Sequence, residues 1–170
     1  LTKKQIDKLK LPLMSQINKS RMQTAFTVSI EAKKGISTGI SAFDRAKTIK
    51  IAIDQNSRKK DIVSPGHVFP LVARNGGVLE RAGHTEASID ISKLSKLNPS
   101  SVICEVMNED GRMARLNDLF KFSKKHNIKL ASIEDLISYR LRYEKLVSRL
   151  THKSSNIRKI GRVEIYTYKS

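Results

Sequence analysis

Residues 74–87, R-N-G-G-V-L-E-R-A-G-H-T-E-A, constrain the fold of this chain more than any other stretch. Asn75-Gly76 is a strong two-residue hairpin signal, because a type I′ turn needs positive φ at both central residues. The pattern predicts a strand over 78–81 that passes through Ala82-Gly83 into a helix over 86–97. Arg81, His84 and Thr85 then fall where the strand ends and the helix begins. Free backbone N–H groups point outward at such a junction and favour anions. An arginine fork, an imidazole and a hydroxyl there make a seat for a phosphate beside a metal ion.

A chain of 170 residues suits one domain, and 39% hydrophobic with 29% charged residues is a globular composition. No apolar run approaches the ~20 residues of a membrane span, and no secretory leader is visible. The single cysteine, Cys104, excludes an internal disulfide framework and fits a reducing cytoplasm, the expected location. The chain starts at Leu1 rather than at a methionine, as a fragment would.

The formal charge of +17 invites a nucleic-acid reading. The lysines are scattered, however, and aromatics make up 5% of the chain, too few to supply the stacking platforms that single strands need. A basic nucleic-acid-binding module therefore stays an alternative, and attraction to small anionic substrates is the more useful consequence of the charge.

Ile6, Leu9 and Leu13 predict a short first helix closed by Pro12. Residues 24–31 alternate, with Phe26, Val28 and Ile30 on one buried face of a strand. Ser41 and Asp44 have capping-box spacing, and Ala42, Ala46, Ile49 and Ile53 supply the apolar stripe of a helix to about Gln55. The hydroxyls of Ser37, Thr38 and Ser41 gather before it, as a plain cap or as a second anion-contacting loop. His67 falls on a turn at 65–70. Residues 102–107 read as an apolar strand interrupted by Glu105, whose carboxylate either faces solvent or is desolvated and suited to proton transfer. Cys104 is expected in the core. A helix over 116–126, a strand over 128–133 and a helix capped by Ser132 and Asp135 follow. Residues 148–158 read as a basic linker, and 163–168 as a strand without a partner. The order of elements predicts an α/β (α+β) fold.

The motifs P-G-H-V-F-P at 65–70, R-A-G-H-T-E-A at 81–87, C-E-V-M-N-E-D-G at 104–111 and A-S-I-E-D-L at 131–136 stand in order. Together they resemble the C-terminal two-thirds of the 3,4-dihydroxy-2-butanone 4-phosphate synthase family, over residues 1–147. Residues 157–170, after a linker at 148–156, are similar to the opening of a GTP cyclohydrolase II domain, as in bifunctional members. The resemblance implies a homodimer with a three-layer αβα fold around a mixed β-sheet. It implies conversion of D-ribulose 5-phosphate to L-3,4-dihydroxy-2-butanone 4-phosphate and formate, with Mg2+ or Mn2+. Carried over by motif, His84 is a metal ligand, His67 and Glu105 are catalytic, and Arg81, Ala82, Gly83, His84, Thr85, Glu105 and Thr38 contact substrate. The family's acidic D-R-E-x-E-G-D loop has no counterpart here. The expectation is therefore an incomplete chain of little or no activity, or a dimerising partner without catalysis.

Overall fold

The computed structural model describes residues 1–169; Ser170, the last residue of the segment read as 157–170, lies outside them. Helix α1 (Lys3–Leu9) starts at Thr2, whose hydroxyl accepts from Gln5 N at 3.3 Å. It stops three residues before Pro12, because Lys10 turns left-handed at φ 53° and its N–H returns to Asp7 O. Ile6 and Leu9 face inward.

The strand expected over 24–31 is two strands. β1 (Ala25–Phe26) pairs antiparallel with β4 (Leu71–Val72), and β2 (Ile30–Ala32) pairs antiparallel with β3 (Ile62–Val68). The chain changes partners at buried Thr27, whose N–H and hydroxyl both donate to Pro70 O. That switch puts Thr27 inside and leaves Phe26 exposed, the reverse of the alternation over the first half of the segment.

Helix α2 (Ala42–Ile53) is capped by Ser41, whose hydroxyl accepts from Asp44 N at 3.1 Å. The face it buries is Asp44, Thr48 and Ala52. Thr48 joins helix to sheet by accepting from Ala32 N at 3.0 Å. Leu9, Ile30, Ala52 and Ile62 form the core where α1, α2, β2 and β3 meet. The stripe expected to be buried, Ala42, Ala46, Ile49 and Ile53, instead lines an open groove.

No hairpin forms at Asn75-Gly76. Gly76 has φ −72°, and a 3-10 turn (Gly77–Leu79) replaces the expected strand. The reason lies on helix α3 (His84–Leu94). Its buried carboxylates take the amides a ladder would have used: Glu86 accepts from Arg74 N at 3.0 Å and Asp90 from Val78 N at 2.8 Å.

Residues 102–107 form no ladder beyond the bridge of Met107 to Met113, so Cys104 and Glu105 are both exposed and Cys104 is not a core residue. Helix α4 (Leu116–His126) ends at left-handed Asn127, and no strand separates it from α5 (Ile133–Tyr143), which Ser132 caps. Arg140 of α5 bonds Asp90 of α3 and Gly76 O. The expected linker is strand β5 (Ser148–Ile157), antiparallel to β6 (Gly161–Lys169), so the lone strand at 163–168 has its partner in the chain. Every residue of β5 is exposed.

The fold is α+β, as expected. Its strands pair in three two-stranded antiparallel ladders, and the bridge of Thr2 to Ala73 is the one parallel pairing among the described residues. No helix among them is long and apolar enough to cross a membrane.

Candidate functional site

The groove against α2 has a volume of about 550 Å³. Arg45, His67, Phe69, Thr85, Ser88 and Cys104 are on its walls. His67 gets there through a register break. Ile30 pairs with Val68 and Glu31 with Val63, so residues 64–67 arch out of the ladder. The turn read at 65–70 is this arch inside β3. Gly66 lies so close to β2 that a Cβ on it would stand 2.2 Å from the Ile30 carbonyl. His67 Nδ1 hydrogen-bonds to Glu31 Oε1, and the ring stays accessible to the groove.

Thr85 enters from the other wall, in the first turn of α3. The N-cap of that helix is Gly83, which supplies no side-chain cap, so its leading N–H groups are left to an external anion. The hydroxyl of Thr85 has no hydrogen-bond partner among the described residues. His84 and Ala82 are exposed beside it.

Arg81 is engaged differently from a phosphate fork. Its Nη1 meets Glu86, its Nε and Nη2 donate to Met22 O at 3.1 and 2.9 Å, and Nη2 also reaches Thr24 Oγ1 at 3.0 Å. It holds the loop ahead of α3 against the 22–24 segment. The loop with Thr38 is likewise occupied from within. Asp44 Oδ2 accepts from Ser37 N, Ser37 Oγ and Gly39 N at 3.2, 2.8 and 3.0 Å. The Ser37 hydroxyl, followed by the Gly39 and Ser37 amides, holds the Asp44 carboxyl below the usual carboxylate range. Those donors serve the protein's own carboxylate, which is the plain capped reading, and Thr38 is exposed above it.

The structure thus brings His67 and Thr85 to one groove. Glu105 is exposed next to Cys104, which lines it, and Arg81 and His84 are outside. Among the described residues no group of three His, Cys, Asp or Glu could hold a metal ion. His84 is one nitrogen donor, whereas magnesium and manganese want several oxygens. These residues do not fit the metal, and no step below is routed through it. Sequence reasoning missed Glu31, Glu86, Asp90 and Arg140. Glu86 and Asp90 carried a signal, since two acids four residues apart share one helix face and that face is buried.

An α+β domain with an imidazole–carboxylate pair and an uncapped helix start on one groove is a binding or catalytic domain for a small anion. The family model described as 3,4-dihydroxy-2-butanone 4-phosphate synthase matches residues 1–139, and the chain belongs to that family. A 3,4-dihydroxy-2-butanone 4-phosphate synthase of Photobacterium phosphoreum is 48% identical over 169 residues, 99% of this chain and 46% of the relative. The crystal structure of a two-domain 3,4-dihydroxy-2-butanone 4-phosphate synthase from A. baumannii is 45% identical with a TM-score of 0.86, covering 99% of this chain and 49% of that one. A 3,4-dihydroxy-2-butanone 4-phosphate synthase in complex with two magnesium ions is 32% identical with a TM-score of 0.76, covering 85% of this chain and 72% of that one. The chain spans about half the length of the first two relatives.

Proposed function

We propose that the protein carrying this chain is a lyase of riboflavin biosynthesis that converts D-ribulose 5-phosphate to L-3,4-dihydroxy-2-butanone 4-phosphate and formate. The observation that carries the reading is the meeting of His67 and Thr85 in one groove, in a chain of this family. The reaction must remove a proton beside the carbonyl of the sugar, lose water, migrate a carbon and release one carbon as formate. His67, with its ring open to the groove, is the group that takes and returns protons near neutral pH, and Glu105 exchanges them from the adjoining segment. The phosphate end is held by Thr85 Oγ1 and the N–H groups of His84 and Thr85, with Arg81, Ala82 and Gly83 fixing that segment and Thr38 at the rim. Anchoring one end of the sugar fixes the other for rearrangement.

Magnesium or manganese, which supplies charge neutralisation on enediolate oxygens when bound, belongs to this proposal with His84 as the one ligand from this chain. Residues 1–147 form the synthase unit, and the 148–169 hairpin opens a second, GTP cyclohydrolase II-like unit. That division is supported by a family match ending at 139 and by a two-domain relative that aligns with 99% of the chain. A homodimer in the cytoplasm completes the reading. The test is formate release from ribulose 5-phosphate with magnesium, by the chain and by its full-length gene product. Turnover by the full-length product, lost in His67→Gln, supports it; no turnover by either rejects it.

A further inference from the structure

We propose that Glu31 is a positioning residue for His67: its carboxylate accepts from Nδ1–H, fixes the ring in one orientation and leaves the Nε2 lone pair facing the groove. The inference rests on the reading of His67 as the proton-transfer group. Three observations carry it. The first is the contact between His67 Nδ1 and Glu31 Oε1, made across the register break that lifts residues 64–67 out of β3. The second is accessibility: the Glu31 side chain is 15% exposed and the His67 side chain 44%. The carboxylate is therefore the covered, inner member of the pair, and the ring is the outer, reachable one. The third is that the backbone leaves room for this carboxylate. A Cβ on Gly39 would lie 1.7 Å from Glu31 Oε1, and one on Gly66 would lie 2.5 Å from Glu31 Cγ. Two glycines from two different loops close around one side chain, and a bulkier residue at either place would push it off the imidazole.

The chemistry gives that arrangement a purpose. A neutral imidazole carries one N–H and one lone pair, and the hydrogen bond at one nitrogen decides which is which. A carboxylate accepts and never donates when ionised, so it selects Nδ1–H and presents Nε2 as the base. A carboxylate behind a working histidine performs the same service in other active sites, where it also stabilises the imidazolium formed on proton uptake. Glu31 touches no substrate in this arrangement and acts through the ring.

The test reads the ring directly. Nitrogen-15 NMR of the intact chain above the titration of His67, with His67 assigned from a His67→Gln spectrum, is expected to give the Nδ1–H tautomer. An Nε2–H tautomer in the unmodified chain overturns the proposal without any variant at Glu31. Glu31→Ala is expected to return the ring to a tautomer mixture. In the full-length gene product it is expected to lower kcat on the order of 10- to 100-fold with little change in KM, a loss typical of removing such a partner. Glu31→Asp, which keeps the carboxylate on a shorter stem, is expected to recover part of the loss. If His67→Gln abolishes turnover and Glu31→Ala leaves kcat unchanged, this inference fails and the catalytic reading stands. If His67→Gln itself leaves turnover intact, the catalytic reading fails, and the tautomer alone decides whether Glu31 orients the ring.

Discussion

Arg140 Nη1 donates to Asp90 Oδ2 at 2.8 Å, joining α5 to α3 across fifty residues of chain. The same guanidinium holds Gly76 O at 2.8 Å and clamps Glu144 through Nε and Nη2 at 2.8 and 2.7 Å. Asp90 is 3% exposed, so it depends on this partner for its charge. Removing one member of a buried pair leaves the other uncompensated, which costs about 3–5 kcal/mol. Arg140→Met is therefore expected to lower the unfolding free energy by about 3 kcal/mol in urea titrations. The double variant Arg140→Met with Asp90→Asn, which removes the stranded charge and keeps an acceptor for Val78 N, is expected to recover a good part of it. A double variant as unstable as the sum of its singles would show that charge compensation is not what the pair contributes.

Three glycines separate two kinds of cost. Gly39 and Gly111 share φ +84°, and Gly111 has nothing within 4 Å of a built Cβ. Alanine at either carries the left-handed penalty of about 1–2 kcal/mol. At Gly39 the obstacle is the far end of the Glu31 side chain, which can swing aside, so Gly39→Ala is expected to cost little more than Gly111→Ala. At Gly66 the obstacle is the Ile30 carbonyl, 2.2 Å away, and a paired backbone cannot retreat. Gly66→Ala is expected to be the most destabilising of the three, or to yield no folded protein. Equal urea midpoints for all three variants would mean the arch does not lie on β2 as described.

What the sequence made legible was local. Ser41 with Asp44 and Ser132 with Asp135 mark two helix starts correctly, because a cap is satisfied within three residues of itself. The face that α2 buries was not legible: Asp44 and Thr48 go inside because Ser37, Gly39 and Ala32 supply their hydrogen bonds, and apolar periodicity does not register such partners. His67 stood out from its motif, but its neighbour Glu31 is 36 residues away and meets it only through a register break. Asn75-Gly76 misled for the same reason, since Glu86 and Asp90 claim the amides that a hairpin would have paired.

Three carboxyls are held below their ordinary range, and all three shifts act in one direction on stability. Asp44 is lowered chiefly by the Ser37 hydroxyl, Asp118 by the Arg115 amide and then the Asn108 side chain, and Glu144 by Arg140. A carboxyl with a depressed folded value contributes stability above its unfolded value, and that contribution is lost as pH falls through the folded one. With unfolded values of about 4, the melting temperature is expected to hold level down to about pH 5 and to fall progressively below about pH 4. Asp44→Asn is expected to lower the plateau and flatten part of the acid decline. Thermal melts from neutral to acid pH check this, and a Tm that stays level through the acid range would rule out these groups as stabilising.

Arg81 and Thr85 adjoin one helix start but do different work. Glu86, 1% exposed, relies on Arg81 for its charge, and the same guanidinium holds the Met22 carbonyl and the Thr24 hydroxyl. Arg81→Ala is therefore expected to cost stability of about 3 kcal/mol, the toll of an abandoned buried charge. Thr85 presents a hydroxyl with no partner among the described residues to the groove, so Thr85→Val keeps shape and loses only that group. It is expected to melt close to the unmodified chain while weakening binding of inorganic phosphate. A hydrogen bond to a charged group contributes about 1.5–3 kcal/mol, so the weakening should be roughly 10- to 100-fold. Titration of both variants with phosphate, read by NMR alongside urea unfolding, separates the two roles. Unimpaired phosphate binding in Thr85→Val, or unimpaired stability in Arg81→Ala, would reverse the assignment made from their contacts.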